Sequence, residues 1–431
     1  MGWLTLFYQL IFCLQLLLLY SQTFAKLCSQ DQSSALLHFK QHFSFNNNRS
    51  PSICDEHKVQ SFPKMNSWKE DGDCCSWDGV TCDTETGHVI GLDLSCSWLH
   101  GKIPSNSTLF LLSHMQSLSL CYNDFNYSEI SPGFGRFPDL IVLRLSSSNF
   151  SGQLPSDISY LSKLVVLDFS GNSQVILEHL ALEGMVRNLS KLEAVFLDDV
   201  NMSTTRPASF TNLSSSLTDL SLIDCRLVGH FPDSILRLPN LRTLRLQSNP
   251  NLTGFFPKVN WSSPIEILSV PFTNFSGQLP NSISNLMSLR FHGSIPVLPH
   301  HLRRFLISNN NMTGEITHLI CNMSSIAILD LYNNSLSGTI PECLGNFNNS
   351  LKVLDLQKNR IYGNIPDSFA KGNHLRELSI NDNWLEGAVP PSLENCTRLE
   401  VLNIGNNIKD IFPYWLRSLP KLQWSFAHKV F

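Results

Sequence analysis

The sequence has little charge and, after its N-terminus, no long apolar run. Charged residues make up 15% of the 431 residues, where about 25% is usual in globular proteins, and 31 basic against 35 acidic residues give a net charge of -4. Without an excess of positive charge, the chain has no field to gather nucleic acid or anionic lipid. After residue 25 no stretch of 18 apolar residues occurs, and a membrane helix needs about 20. We therefore expect neither nucleic-acid binding nor a membrane span in this chain.

Catalytic motifs are also missing. The sequence has no GxSxG nucleophile elbow, HExxH helix, GxxxxGK[ST] phosphate loop or set of kinase motifs. Its 14 histidines show no spacing typical of metal ligands. Scattered Ser, His and Asp residues for a hydrolytic triad occur in any chain of this length. We therefore predict a protein that is not an enzyme and that uses no metal or cofactor.

The N-terminus has the pattern of a secretory signal. An apolar run of 11 residues, 10–20, precedes a Thr-Phe-Ala tripeptide that ends at Ala25 and places small residues at positions -3 and -1. A run of this length is too short for a membrane anchor, which needs about 20 residues. The pattern predicts a signal peptide over residues 1–25 and entry into the secretory pathway. Because Cys13 leaves with the signal, 11 of the 12 cysteines remain, and at least one has no partner within the chain.

Export also turns Asn-x-Ser/Thr triplets into acceptors for N-linked glycans, provided that they are exposed. The predicted glycosylation sites are Asn106, Asn126, Asn149, Asn188, Asn212, Asn251, Asn260, Asn274, Asn311, Asn322 and Asn395. Further triplets begin at Asn48, Asn201, Asn333 and Asn348.

A repeat of about 24 residues runs through most of the chain. Four segments, from Leu140, Leu241, Ile326 and Leu351, superpose as LxxLxLxxNxLxGxIP, which is the leucine-rich repeat. The other starting residues are Val89, Met115, Leu164, Leu192, Leu217, Ile265, Leu289, Leu302, Leu375, Leu399 and Leu422. Spacings are 23 to 28 residues, apart from one of 13 after Leu289.

The repeat pattern predicts an α/β solenoid. The xxLxLxx part alternates with period two, so it forms a short strand with its leucines inward, and parallel stacking of such strands builds a concave sheet. The Asn that follows each strand is expected to hydrogen-bond the turning backbone of neighbouring coils. These are structural residues: Asn172, Asn249, Asn310, Asn334, Asn359, Asn383 and Asn407. About 14 repeats are expected over residues 89–423, and residues 424–431 form a non-repeat tail.

Residues 26–88 differ in composition from the repeats and are predicted to form the N-terminal cap that a solenoid needs over its first apolar coil. This segment contains DCCSWDGVTC, in which two vicinal cysteines rarely pair with each other. We predict the disulfides Cys28–Cys74 and Cys75–Cys82, and name Cys54–Cys96 and Cys321–Cys343 as candidate pairs. A zinc site is disfavoured because C-x2-C knuckles are missing and the chain is exported. Cys121 and Cys396 have no arguable partner, and Cys225 stands at the Asn position of its repeat, where a buried thiol is structural.

Three stretches resemble a known family. They are LCSQDQSSALLHFK at residues 27–40, SWKEDGDCCSWDGVTCDTETGHVIGLDLSCSWLHG at residues 67–101, and the LSGTIP-type repeats. Together they closely resemble plant extracellular leucine-rich-repeat receptor-like proteins, and among these the tomato Cf-type disease-resistance proteins. The resemblance covers residues 27–423.

This resemblance implies the ligand-recognition ectodomain of an immune receptor, which binds a pathogen-derived protein or peptide in the apoplast and signals through partner receptor kinases. Family members continue with further repeats, a membrane helix and a cytoplasmic tail, and reside in the plasma membrane. The chain as written is expected in the apoplast. Two alternatives stand beside this one. The first is a secreted inhibitor similar to polygalacturonase-inhibiting proteins, whose Cys-bearing C-terminal cap is not found here, and the second is a non-functional truncated gene product.

The repeat register breaks at two points. After Arg290 the sequence passes directly to FHGSIP, the second half of a repeat, so that the domain is interrupted near residues 290–301. After Gln423 the residues fit neither a strand nor a cap. These breaks suggest a splice variant, a wrong exon boundary or a truncated copy. We expect unpaired ladder donors on both sides of the first break, and a chain that folds imperfectly.

Binding is predicted at the outward positions of the concave sheet, which are rigidly presented and have no packing role. An acidic group on one strand and an Arg group on its neighbours are expected to form a bipolar patch, and three exposed aromatic residues are expected to act as anchors. The candidate residues are Phe196, Asp198, Asp199, Ile223, Asp224, Arg242, Arg245, Gln247, Phe272, Tyr332, Gln357 and Lys358.

Overall fold

The computed structural model describes residues 28–46, 54, 60–256, 263–278, 301–316, 320–321, 323–345, 350–405 and 413–424. The predicted signal peptide, the break after Arg290, Asn407 and residues 425–431 of the predicted tail lie outside these residues. The expectation that the tail fits no strand is wrong for its first residue, because Trp424 ends the strand Gln423–Trp424 and pairs with Leu402. Among the described residues, no helix combines the length and the apolarity that crossing a bilayer requires.

One sheet of 15 short strands runs the length of the solenoid and forms its concave face. Its first strand is antiparallel to the second, and every later pair is parallel and in register. The strands are Val80–Cys82, Val89–Asp93, Ser117–Ser119, Val142–Arg144, Val166–Asp168, Ala194–Phe196, Asp219–Ser221, Thr243–Arg245, Ile267–Ser269, Arg304–Leu306, Ile328–Asp330, Val353–Asp355, Glu377–Ser379, Val401–Asn403 and Gln423–Trp424. The central leucine of most of these strands is buried, as the period-two pattern predicts.

A second set of strands follows the turn after each Asn position and forms smaller lateral sheets. Its members are Ser128–Glu129, Phe150–Gln153, Gln174–Ile176, Gly229–His230, Leu252–Gly254, Asn274–Gln278, Asn311–Glu315, Ser335–Ser337, Tyr362–Asn364 and Trp384–Glu386. The repeat glycine lies at this strand or directly after it, and at Gly387 its φ is 83°, a conformation that residues with a Cβ rarely adopt. A Cβ at Gly387 would also lie 2.6 Å from Asn364 Oδ1, so the Asn364 side chain would have to move.

The side of the solenoid opposite the concave sheet carries helices. Helix α1, Gln30–Lys40, belongs to the cap, and helix α2, His179–Asn188, replaces the short helix of its repeat. Its buried residues Ala181, Leu182, Met185 and Val186 follow helical spacing, which is why this repeat forms a full helix. The other repeats and the cap use 3-10 helices at Lys64–Ser67, Cys74–Ser76, Thr108–Leu111, Pro132–Arg136, Ser156–Tyr160, Pro207–Asn212, Asp233–Arg237, Glu342–Gly345, Pro391–Asn395 and Tyr414–Ser418.

The Asn positions form a buried ladder. In the fully buried Asn249, Nδ2 donates to the carbonyl of Leu222 in the preceding repeat (2.8 Å) and to that of Leu246 (2.8 Å), while Oδ1 accepts from the Leu227 amide (3.0 Å). The same pattern holds at Asn172, Asn310 and Asn359. Each ladder Asn therefore joins two consecutive coils.

Cys225 takes the ladder position of its own repeat. Its buried Sγ donates to the Leu197 carbonyl, 3.1 Å away, as the amide nitrogen of an Asn does. The thiol offers no strong acceptor, and the Met202 amide donates instead to the backbone carbonyl of Cys225, 2.9 Å away. Among the described residues Cys121, Cys225 and Cys396 are free and buried, in keeping with the odd number of cysteines that remain after the predicted signal cleavage.

The cap is held by three disulfides, Cys28–Cys74, Cys54–Cys96 and Cys75–Cys82. A fourth, Cys321–Cys343, joins two later repeats. The sulfurs of Cys28, Cys74 and Cys75 lie within 4.8 Å of one another, but all three belong to disulfides and are not thiolate ligands. Inside the cap the buried rings of Trp68 and Trp77 stack with their centroids 5.4 Å apart.

The concave sheet continues across the predicted interruption. Ile267–Ser269 pairs directly with Arg304–Leu306, and the lateral strand Asn274–Gln278 pairs with Asn311–Glu315. Asn310 reaches back 40 residues to the Val270 carbonyl, 2.8 Å away, and so bridges the two coils as its counterparts do. The expectation of unpaired ladder donors on both sides is therefore wrong for these described strands, because the strand that follows the break pairs with the strand before it.

Candidate functional site

Register-matched strands place the outward residues of the concave face in rows. A first row, the last residue of each strand, contains Arg144, Asp168, Phe196, Ser221, Arg245, Ser269, Leu306, Asp330, Asp355, Ser379 and Asn403. A second row, two residues further on, contains Ser146, Ser170, Asp198, Ile223, Gln247, Pro271, Ser308, Tyr332, Gln357, Asn381 and Gly405. A third row, the next residue of the chain, contains Asp199, Asp224, Ser248, Phe272, Asn309, Asn333, Lys358 and Asp382, all with φ between 50° and 66°.

The rows contain all of the predicted binding residues except Arg242, which directly precedes its strand, and none of these residues is buried. Phe196 and Arg245 lie in the first row; Asp198, Ile223, Gln247, Tyr332 and Gln357 in the second; and Asp199, Asp224, Phe272 and Lys358 in the third. Of the three aromatic residues expected to be exposed, only Phe272 is, with 57% of its surface accessible. Phe196 and Tyr332 are half-buried between their neighbours in the rows.

Asp198 has a structural role as well as an accessible surface. Its Oδ1 accepts a hydrogen bond from the Ile223 amide at 2.8 Å and so ties two coils together. Burial raises the pKa of the Asp198 carboxyl, with a smaller contribution from Asp168, while the positive charge of Arg245 lowers it. The charge of Arg245 thus acts on the Asp198 carboxyl, and Asp198 is not free of packing duties.

The third row adopts the left-handed backbone conformation, which Asn and Asp tolerate and bulky side chains avoid. Asp199 and Asp224 are exposed neighbours in this row, and the pKa of Asp199 is raised by burial and then by the charge of Asp224. Phe272 has the same conformation with φ 53° and gains no burial for its ring. A strained position that carries an exposed aromatic side chain points to a role outside packing.

Charged residues at the strand starts pair among themselves. Arg242 Nη1 lies 2.7 Å from Glu266 Oε1, and Arg303 Nε lies 3.9 Å from Glu266 Oε2. Exposed pairs of this kind contribute up to about 1 kcal/mol each. Arg242 thus already has an anionic partner on its own sheet, which the sequence analysis did not anticipate.

Further along the sheet, the Lys358 ammonium lies 5.2 Å from the ring centroid of Tyr332. The pKa of Lys358 is raised, mainly through its contact with Tyr332 and then through the negative charge of Asp382. A cation over an aromatic face at this distance is attracted to it. These two predicted residues therefore form one unit on adjacent strands.

Several predicted glycosylation sites recur at one position. Asn149, Asn251, Asn274 and Asn311 each directly precede the apolar residue of a lateral strand, and Asn311 Nδ2 lies 2.5 Å from Asn274 Oδ1. Asn106, Asn126, Asn188 and Asn212 are exposed elsewhere on the surface. At Asn395, Nδ2, the atom that a glycan would occupy, donates to the Phe369 carbonyl at 2.8 Å. Asn260 and Asn322 lie outside the described residues.

Two carboxylates that the sequence analysis missed are Asp330 and Asp355, direct neighbours in the first row. The pKa of Asp355 is raised to about 6, first by burial and also by the charges of Asp330 and Glu377. Each lies between the two inward leucines of its repeat, so the sequence predicts that it faces outward but not that the two carboxylates are neighbours.

Comparison with known proteins agrees with this architecture. A model of the leucine-rich repeat N-terminal domain matches residues 29–83, and models of the leucine-rich repeat match residues 325–347, 350–371 and 373–423. Receptor-like protein 6 of Arabidopsis thaliana is 41% identical over 282 residues, which are 63% of this chain and 28% of that protein. Receptor-like protein Cf-9 of Solanum pimpinellifolium is 40% identical over 274 residues, 62% of this chain and 31% of that protein. The chain is a leucine-rich-repeat protein similar to the plant Cf-type receptor-like proteins.

The similarity has limits of length. The chain spans about a third or less of these two receptor-like proteins. Among solved structures, a TDR receptor has a TM-score of 0.59 and 26% identity, covering 82% of this chain and 70% of that one. The plant peptide hormone receptor RGFR1 in complex with RGF2 has a TM-score of 0.53 and 21% identity, which shows a shared fold.

Proposed function

We propose that this chain is the ligand-recognition part of an extracellular receptor-like protein in plant immunity and that its concave face binds a pathogen-derived protein or peptide. The receptor-like relatives support a ligand-binding role without enzymatic activity. The disulfide-bonded cap suits an extracellular location. As the resemblance to receptor-like proteins implies, signalling passes through partner receptor kinases.

The observation that carries this proposal is Phe272 and its surroundings. This exposed aromatic ring has a strained backbone position just after the strand Ile267–Ser269, which pairs with the strand that ends at Arg245. Asp224 follows the strand after that one, two strands away from Ile267–Ser269. Binding energy at protein interfaces concentrates in aromatic and Arg anchors that a partner can cover. Opposite charges beside such an anchor favour a polar protein partner of complementary charge.

Reversing the charges of the bipolar patch is expected to abolish ligand capture. The variant Asp198→Lys/Asp224→Lys/Arg245→Glu is displayed on plant cells and exposed to apoplastic fluid from infected leaves, and the retained proteins are quantified by mass spectrometry. Like charges placed against a complementary partner cost several kcal/mol. We therefore expect at least a hundredfold loss of the specifically retained protein.

The matched control is Glu70→Lys/Glu85→Lys/Arg187→Glu, three exposed positions off the concave sheet with the same change in net charge. This control is expected to retain the ligand as the original protein does. Equal capture by both variants would refute the patch. Purified fungal polygalacturonase serves as a second probe, and inhibition of it by the original protein would replace the receptor proposal with the inhibitor alternative.

A further inference from the structure

Two exposed aromatic side chains stand side by side on the lateral surface of the solenoid. Tyr362 and Trp384 are register partners on two parallel lateral strands. Register partners on neighbouring strands lie about 4.8 Å apart and point to the same face of the sheet. Their side chains are 47% and 62% exposed, whereas Ile361 and Leu385, beside them in the chain, are buried. Both rings therefore face solvent on one side of the same small sheet.

Polar side chains flank the two rings. Because side chains alternate along a strand, Arg360 shares the outer face with Tyr362, and the register partners Asn364 and Glu386 continue it on the other side of the rings. All three are exposed, and among the described residues their side chains take part in no hydrogen bond or ion pair. We name this surface the lateral platform and define it by Arg360, Tyr362, Asn364, Trp384 and Glu386.

The platform occupies a place that other coils use differently. On four earlier lateral strands an Asn-x-Ser/Thr triplet stands at this place, with its Asn before the buried apolar residue and its Ser or Thr after it; the triplets begin at Asn149, Asn251, Asn274 and Asn311. In the two strands of the platform the same places hold Arg-Ile-Tyr and Trp-Leu-Glu. Neither sequence accepts an N-linked glycan. The lateral face thus changes from predicted glycan attachment to bare aromatic rings.

The chemistry of the platform fits a saccharide. The face of an aromatic ring is electron-rich and attracts the weakly positive C–H groups that a sugar ring presents on its own face. The hydroxyl groups at the edge of a sugar ring both donate and accept hydrogen bonds, and the free guanidinium, amide and carboxylate of the platform offer partners for both. A β-1,4-linked chain keeps successive sugar rings in a flat ribbon, which suits two rings set side by side on a sheet.

Charge and available area narrow the choice of occupant. Arg360 and Glu386 carry opposite charges, so the platform has no net charge to attract a polyanionic chain. A stable protein interface needs about 800 Å² on each partner. The predicted glycans of the preceding coils take up part of the lateral face that so broad a partner would have to cover. A thin, neutral polysaccharide chain needs only the platform itself.

We propose that the lateral platform binds a neutral, β-1,4-linked polysaccharide chain. The chain runs across the two strands, with its sugar rings against Tyr362 and Trp384. Its hydroxyl groups hydrogen-bond to Arg360, Asn364 and Glu386. This inference does not rest on the proposed function, because the platform lies on a lateral sheet and not on the concave face. The protein thereby gains a contact with cell-wall-type polysaccharide that leaves the concave face open.

Calorimetry with defined hexasaccharides tests the platform on the full chain. The original chain is expected to bind cellohexaose, and to bind maltohexaose at least about tenfold more weakly, because the α-1,4-linked chain of the same glucose units is curved. The variant Tyr362→Ala/Trp384→Ala is expected to lose at least about tenfold in affinity for cellohexaose, since each ring contact contributes about 0.5–1.5 kcal/mol. Binding of chitohexaose in place of cellohexaose also supports the platform and assigns N-acetylglucosamine rather than glucose chains to it.

The matched control is Tyr160→Ala/Tyr414→Ala, which removes two aromatic side chains that are 69% and 82% exposed on 3-10 helices away from the lateral sheets. Its affinity is expected to be unchanged, and hydrogen exchange of the strand Glu377–Ser379 checks that each variant is folded. Binding of neither β-1,4-linked chain, equal affinity for maltohexaose, or equal losses in the two variants overturns the proposal. None of these results affects the proposed function, which charge reversal at the bipolar patch tests separately.

Discussion

Replacing the ladder residue Asn249 by Ala is expected to lower the free energy of unfolding by about 4 kcal/mol, one of the two largest effects of a change in this protein. The change removes both the donor to Leu222 and Leu246 and the acceptor for the Leu227 amide, all fully buried. Each group left without a partner costs about 1–3 kcal/mol. Urea unfolding and hydrogen exchange of the strands Asp219–Ser221 and Thr243–Arg245 measure the loss.

Cys225 provides a natural comparison for the Asn249 prediction. The neighbouring repeat folds with a thiol at the ladder position, donating to Leu197 while a backbone carbonyl accepts from Met202. Asn249→Cys is therefore expected to cost less than Asn249→Ala. Asn240→Ala removes an exposed amide whose Nδ2 bonds the Ser215 carbonyl at 2.9 Å, and it is expected to cost less than about 1 kcal/mol. Equal losses at Asn249 and Asn240 would show that the ladder does not carry the stability assigned to it.

The repeat period alone predicted most of the fold, for a physical reason. A residue every second position must be buried in a strand, and a strand that cannot cover its own leucines must stack on its neighbours. Leu143, Leu244 and Leu378 are buried in three such strands of one sheet, as this reasoning requires. The Asn positions follow from the same geometry, because each turn leaves backbone groups that a side-chain amide can satisfy.

The sequence predicts strand pairing and side-chain exposure less well where these depend on residues of another coil. Leu289 has the pattern of a repeat start, yet the strand before it pairs directly with Arg304–Leu306, which lies beyond the interruption. The pattern predicts that outward positions are free surface, but the Ile223 amide donates a hydrogen bond to Asp198, and Phe196 and Tyr332 are half-buried. Such contacts join residues about 25 apart in sequence, and the repeat pattern specifies which strands are neighbours without specifying which side chains interact.

The candidate site, too, is predicted from the sequence only in part. Sequence placed Asp198 and Arg245 on nearby strands, and the structure brings their charges together. Asp330 and Asp355 escaped notice because single acidic residues on a repeat surface are common, and their significance arises only when strand pairing makes them neighbours.

Removal of the cap disulfide Cys28–Cys74, as the double variant Cys28→Ser/Cys74→Ser, is the other change with a large expected effect. The bridge closes a loop of 46 residues that contains most of the cap. Loop-closure entropy in the unfolded chain makes such a bridge worth about 4 kcal/mol. The loss falls on the cap that covers the first coil, where Leu36, Phe39 and Trp68 are buried.

The matched control is Cys75→Ser/Cys82→Ser, which removes the neighbouring bridge with a separation of 7 residues. The same relation gives this shorter loop about 2.4 kcal/mol, so the first variant is expected to unfold at lower urea concentration. Fluorescence of the stacked Trp68 and Trp77 follows the cap, and hydrogen exchange of Val89–Asp93 follows the first parallel strand beneath it. A larger loss for the shorter loop would mean that the bridges act through packing in the folded cap rather than through the unfolded chain. Because each coil contacts only its neighbours, the loss of protection at Val89–Asp93 is expected to decrease from repeat to repeat along the sheet.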